Sequence, residues 1–358
     1  MRVARGTGYL YFAVDVGQAI DLDAAAKLLP RPAEPAIVRH RRPAPRYFQY
    51  EPPPLRVRLD VPALPIGGRT TREEVEATLF DFGAISVRYT VPLEGPLDDL
   101  IALSAGMEEQ TGPVAEDALR RGKELFDAVA SAITGPMIAP FLEDYVVYQL
   151  GALDPALPPA ALLGAEPGAL ARILRGERAE LSEDEVQDAL SARIAYGRAD
   201  LTLVDWNAAL VFDEDAEDAC SVLEYANTQL LEMRLLDGKL DRSLDRCYEA
   251  VSTSRFTPFV PLDVRRIGQM QVDGALLHER VRNALKLLGD QYLSRLYRLA
   301  AGRFHLAEWH ASIQRKLEAI ESVYGKLFDR AATRRMEFLE WLIVVLILIE
   351  IVLSLIPR

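Results

Sequence analysis

Apolar and polar positions along the chain fall into three regimes. In the first, residues 8–14 (GYLYFAV) predict a strand and 21–29 a short helix. Residues 76–82 and 84–91, EATLFDF and AISVRYTV, are β-rich runs broken by Gly83, which signals a hairpin or bulge. The three-and-four spacing of amphipathic helices fills 97–110 and 115–132; 144–150 (DYVVYQL) predicts another strand, and short helices over 169–175 and 183–191 precede strands at 193–196, 199–203 and 208–212. These elements predict an α+β body with a mixed or antiparallel sheet. Between residues 30 and 65 lie ten of the 22 prolines, too many for continuous helix or central strand, so this stretch predicts an extended segment with short strands such as 55–61.

The acidic run 213–218 opens the second regime. From Val222 onward, Ala226, Leu230, Met233, Leu236, Leu240, Leu244, Cys247 and Val251 recur three and four apart, predicting a long helix that Pro258 and Pro261 end. A second helix is predicted over 277–299. After Gly302 a third carries Trp309, Ile313, Leu317, Ile320, Tyr324, Leu327 and Ala331 at heptad-like spacing, the seam of a helical bundle or stalk.

The third regime is 342–356, LIVVLILIEIVLSLI, in which 13 residues are Leu, Ile or Val. Taken with its flank, 338–356 is about 28 Å of helix against a hydrocarbon core of about 30 Å. The aliphatic residues favour insertion by about 4–8 kcal/mol, and Glu350 opposes it by about 3. The expectation is a transmembrane tail anchor, with Glu340 and Trp341 at its start and Glu350 facing neighbouring copies, snorkelling or protonated. The alternative is a helix buried at an oligomer core. Arg330, Arg334 and Arg335 precede the run, which places the body on the cytoplasmic side of a bacterial-type inner membrane. The expected fold class is therefore an α+β sheet body, a long-helix bundle or stalk, and one C-terminal transmembrane helix. Its segments are 1–65, 66–213, 214–335 and 336–358.

Charge sharpens this division. The net charge is -12, but residues 1–263 carry 26 Lys and Arg against 43 Asp and Glu, whereas 264–335 carry 14 against 7. An acidic body is followed by a basic helical segment that abuts the apolar run, an arrangement suited to an anionic membrane surface. Within the proline-rich stretch, Arg39, His40, Arg41, Arg42 and Arg46 form a second basic cluster beside Tyr47, Phe48 and Tyr50. It reads as a solvated loop before an RNA or lipid patch.

Motifs for chemistry are sparse. Gly67-Gly68 lacks the Gly-Lys-Ser/Thr of a phosphate loop, and Gly122-Lys123 is followed by Glu124 in a helical context. His305 and His310 stand five apart with Glu308 between them, so a helix turns them to different faces. Cys220 and Cys247 have no Cys-x-x-Cys partner, and His278-Glu279 lacks a second histidine. No catalytic constellation, cofactor or metal ligand set is expected.

The C-terminal residues Trp309, Lys316-Leu317, Ile320, Val323-Tyr324, Leu327, Asp329, Arg335 and Leu339-Glu340-Trp341, running into IVVLILIEIVLSL, resemble the family required for meiotic nuclear division, also called YagE/Rmd. The stretch 77–93, ATLFDFGAISVRYTVPL, is similar to that family's strand-Gly-strand element. The resemblance covers about 75–355 and implies membrane-anchored proteins without recognised catalytic residues, some of which support mitochondrial translation. The function expected on these grounds is a membrane-anchored, self-associating scaffold or tether. Its partners are the lipid bilayer, further copies of itself, and a protein or ribonucleoprotein recruited by the acidic body. The alternatives are a membrane-tethered enzyme with a site in the body and an RNA-binding adaptor.

Overall fold

The structure, a computed structural model, describes residues 1–29, 32–35, 52–108, 112–253 and 291–355. Side chains are described there except at 35, 107–108, 246–253, 291, 324, 326–332, 334–335, 338 and 350–355. Contacts divide the chain into two units, Met1–Met233 with Arg280–Ala307, and Arg234–Glu279 with Glu308–Arg358.

The first unit is built on a mixed ten-stranded sheet. Its strands are β1 (Arg2–Asp15), β2 (Glu34–Pro35), β3 (Leu55–Asp60), β4 (Glu74–Leu79), β5 (Ala84–Pro92), β6 (Gly95–Pro96), β7 (Glu143–Asp154), β8 (Arg193–Ile194), β9 (Leu201–Val204) and β10 (Ala208–Phe212). The order is β8-β9-β10-β7-β1-β5-β4-β3-β2, with β6 beside the start of β1. Every pairing is antiparallel except β7 with β10.

Register fixes what each face carries. Tyr11 lies opposite Arg88 and Tyr145, and Arg88 opposite Glu76, so these side chains share one face, while Leu10, Phe12, Val87 and Tyr89 line the other. The helices are α1 (Leu22–Leu28), α2 (Leu97–Glu108), α3 (Pro113–Val129), α4 (Pro159–Ala165), α5 (Pro167–Arg175), α6 (Glu183–Ala189), α7 (Glu217–Thr253), α8 (Gln291–Arg303) and α9 (Leu306–Leu355). Helix α3 lies on β1 and β5, where a Cβ at Gly122 would meet Val14 Cγ1 at 2.9 Å, so glycine permits the close approach. The first half of α7 covers the opposite face. Because layers lie on both sides, β5 reads as a continuous buried run rather than an alternation.

Local chemistry ends these elements where the fold needs it. Asp21 caps α1 by accepting from the Ala24 amide at 3.0 Å, and Ser182 caps α6 by accepting from the Glu185 amide at 3.2 Å. Gly83 joins β4 to β5 at φ +97°, where a Cβ would lie 2.0 Å from the Gly17 carbonyl oxygen.

In the second unit, Leu235, Leu236 and Leu240 of α7 are buried, as are Ile313 and Ile320 of α9. Lys316 Nζ lies 2.7 Å from Asp237 and 2.6 Å from Asp241, an ion-paired rim to that core.

Among the described residues no helix is long and apolar enough to cross a membrane. This corrects the expected fold class, the tail anchor and the single-pass placement in an inner membrane with the body in the cytoplasm. The uninterrupted aliphatic run of α9 is the eight residues 342–349, about 12 Å of helix where spanning needs about 30 Å; Glu350 breaks it, and Glu337 and Glu340 stand just before it.

Candidate functional site

The residues singled out in the sequence lie on α9, the seam on its first turns and the apolar run towards its far end. Ile313 and Ile320 are buried, and Trp309 and Leu317 half-buried. The ion pairs of Lys316 to Asp237 and Asp241, and the contact of Ser312 Oγ with Asp237 at 3.4 Å, set this stretch against the second half of α7. The side chains of Tyr324, Leu327, Arg330, Arg334, Arg335 and Glu350 lie outside the described residues, as do Arg39–Arg46 and His278-Glu279. Further along α9 the character changes. Glu340 is exposed, and so are Met336, Leu339, Trp341 and every residue of 342–349, from 43% at Leu342 to 70% at Trp341. At 100° per residue, eight successive apolar side chains cover every face of a helix, so no single seam defines this surface.

Two buried charge networks in the first unit were not legible in the sequence. In one, Arg88 is paired with Glu76, lies 3.7 Å from Glu217 and sits over the Tyr9 ring at 5.1 Å. Arg56 joins it, 2.6 Å from Glu217 and 3.9 Å from Glu76. Burial would raise the Glu217 carboxyl, but Arg88 and Arg56 together hold it below the usual range. Glu224, two turns further along α7 on the same face and buried, is raised by desolvation, with Ser86 and Thr78 beside it. Burial pushes the Cys220 thiol up to about 12, so it is no nucleophile at neutral pH. The network ties β3, β4 and β5 to α7.

In the other, Asp205, wholly buried in the β9–β10 turn, faces Arg175 Nε of α5 at 2.8 Å and Arg303 Nε of α8 at 3.0 Å. The two Nε groups are not aligned for hydrogen bonds, so these contacts are ion pairs. Arg175 and Arg303 also hold Asp188 of α6, at 2.5 and 2.8 Å, and draw its carboxyl below the usual range. Desolvation raises Asp205 despite both arginines. Helices α5, α6 and α8 and the β9–β10 turn are clamped there around an acid that is itself wholly buried.

A cavity of about 580 Å³ opens on the α3 side of the sheet, floored by Leu10, Phe12, Ser104 and Tyr148, with Glu116 and Asp144 at its mouth. Its floor is apolar apart from the Ser104 and Tyr148 hydroxyls. Among the described residues no group of three or more His, Cys, Asp or Glu could hold a metal ion. His305 sits at φ +53° in the turn between α8 and α9, off the helix that carries Glu308 and His310.

A family model described as "Uncharacterized protein MJ0711, N-terminal domain" matches residues 5–219. The uncharacterized protein MJ0711 of Methanocaldococcus jannaschii is 25% identical over 236 residues, which cover 65% of this chain and 72% of that protein. No solved structure matches. The expected membership of the YagE/Rmd family is thereby corrected. Both patterns that carried it have local causes: the strand-Gly-strand element follows from the tight turn at Gly83, and an aliphatic helix end is a pattern of low information.

Proposed function

Starting from the premise that the chain belongs to the MJ0711 N-terminal domain family, we propose that it is a self-associating scaffold, joined to further copies through the apolar end of α9 and recruiting a protein or ribonucleoprotein through its body. The observation that carries this reading is the exposure of Met336, Leu339, Trp341 and all of 342–349. A typical monomer's largest exposed apolar patch is about 300–600 Å², and patches of that size or more mark interaction sites. The heptad seam nearer the start of α9 supports an internal role instead, because Ile313 and Ile320 are already buried beside α7. A helix apolar on every face needs cover on every face, which several identical helices around an axis supply and one flat partner does not. Burying on the order of 500 Å² per copy contributes about 12 kcal/mol before association costs of about 4–15. Assembly through this surface is thus concentration-dependent.

The test is light scattering on the full chain and on a variant carrying Ile343→Glu and Leu346→Glu. These side chains are 54% and 56% exposed, so the body's melting temperature serves as the control for folding. The reading expects an oligomer that the two substitutions convert to monomer with that temperature unchanged. A wild-type monomer, or an oligomer the substitutions leave intact, contradicts it.

A further inference from the structure

The face formed by the edge strand β8, the loop after it and α8 points, we infer, to binding of single-stranded nucleic acid. Arg193, Arg198, Arg295 and Arg298 are all exposed on these elements. Among the described residues none of the four meets a carboxylate, and the bond they make is Arg298 Nε to the Ser294 carbonyl at 3.3 Å. The arginines of the two buried networks, by contrast, are committed: Arg56, Arg88, Arg175 and Arg303 are all held by acids. Four uncommitted guanidinium groups on neighbouring elements of an acidic body call for an anion from outside.

An aromatic platform stands among them. Tyr196, between Arg193 and Arg198, is 49% exposed, and its ring meets that of Tyr292 edge-on, centroids 5.8 Å apart at 82°. Tyr292 is pinned in turn, its hydroxyl 3.3 Å from Thr202 Oγ1 on β9. The loop is fixed too: the amides of Tyr196 and Gly197 donate to Asp200 at 2.7 and 2.6 Å, which occupies both oxygens of the loop's own acid. Asp188, on the preceding helix, is turned to Arg175 and Arg303. A tyrosine held in place, with arginines on either side of it in the chain and on the helix that packs against it, is the combination that stacks a base while holding the phosphates beside it. An acidic protein surface would use the arginines but not the ring. A duplex hides its base faces, so the ring selects unpaired strands. The face is complete in one copy, so the inference stands apart from self-association.

The experiment is fluorescence anisotropy with labelled 12-nucleotide oligouridylate and oligothymidylate on the full chain, the two arms distinguishing RNA from DNA. A duplex of equal length and a polyglutamate peptide serve as competitors. With four phosphate contacts at about 0.7 each, the logarithm of affinity falls with a slope near -3 against that of salt, about fifty-fold between 50 and 200 mM. Replacing Arg193 and Arg198 by Ser makes that slope shallower by about 1.4. Tyr196→Ala weakens binding about tenfold or more, and Tyr196→Phe stays within about twofold. Replacing all four arginines by Ser abolishes binding. The inference is overturned if neither oligonucleotide binds at 50 mM salt, if the four-arginine variant binds as well as the wild type, or if Tyr196→Ala has no effect. Competition by the duplex or by polyglutamate equal to that by the single strand overturns it as well.

Discussion

Replacing Arg88 by Met removes the charge at the centre of the first buried network while retaining most of the aliphatic bulk. Loss of one partner of a buried ion pair costs about 3–5 kcal/mol. Here the carboxylates do not lose everything: Glu76 keeps Arg58 at 3.3 Å and Arg56 at 3.9 Å, and Glu217 keeps Arg56 at 2.6 Å. The loss is therefore set at about 2–3 kcal/mol, to which the contact of Arg88 with the Tyr9 ring adds about 0.5–1. At about 2–4 °C per kcal/mol for a unit of this size, the melting temperature falls by about 5–16 °C. Scanning calorimetry reads it, with Arg88→Lys as the control that keeps the charge but not the planar fork. The pH dependence has a definite sign. Glu217 is held below its ordinary 4.5, so its favourable pairing is fully present above about pH 4.5 and is lost as pH falls through its depressed value in the folded state. The difference between wild type and Arg88→Met shrinks on that acid side. A drop below about 2 °C at pH 7, or a rise, refutes the reasoning, since it would mean that apolar packing replaces the network without loss.

Glu224 behaves in the opposite sense: burial raises its carboxyl above 4.5, so the folded state loses stability as pH rises from there. Glu224→Gln accordingly melts higher than the wild type at pH 8 and equal to it at pH 4, and equal melting at both contradicts the assignment. In a Cys247→Ser background, Cys220 does not react with a disulfide reagent at pH 8 until the protein is denatured, whereas rapid reaction in the native state contradicts its buried, protonated thiol. Gly83→Ala forces a side chain into φ +97° and against the Gly17 carbonyl, and lowers the melting temperature by the equivalent of about 2–3 kcal/mol or more; an unchanged melt refutes the close approach.

Local pattern made individual strands and helices legible to different depths. The break at Gly83 and the run 208–212 stand out because turn chemistry and β-branched residues act within a few positions. The first half of α7 shows what pattern conceals: three-and-four spacing marks one face, yet every residue of 222–229 is buried. Polar residues of that stretch are absorbed by distant partners, Asn227 donating to the Glu143 carbonyl at 3.3 Å and Gln229 accepting from Tyr297. Arg88 in the strand AISVRYTV is the one visible hint of the buried network, a charge inside an apolar run, but Glu217 lies far along the chain. The clamp of Arg175, Asp188, Asp205 and Arg303 draws on four elements, and no spacing rule connects them. The platform of Tyr196 and Tyr292 is likewise invisible in sequence, since it needs α8 to return to the sheet edge. The apolar end of α9 is conspicuous, and its aliphatic character alone reads as lipid-facing length, yet among the described residues no helix is long and apolar enough to cross a membrane.

Sedimentation equilibrium of the full chain in aqueous buffer, across a wide range of concentration, tests self-association most directly. The account predicts a mass that rises with concentration from 39.8 kDa to a fixed multiple of it, and a chain ending at Arg335 that stays at its monomer mass throughout. A full chain that remains at 39.8 kDa at every concentration, or a shortened chain that assembles as well as the full one, contradicts it.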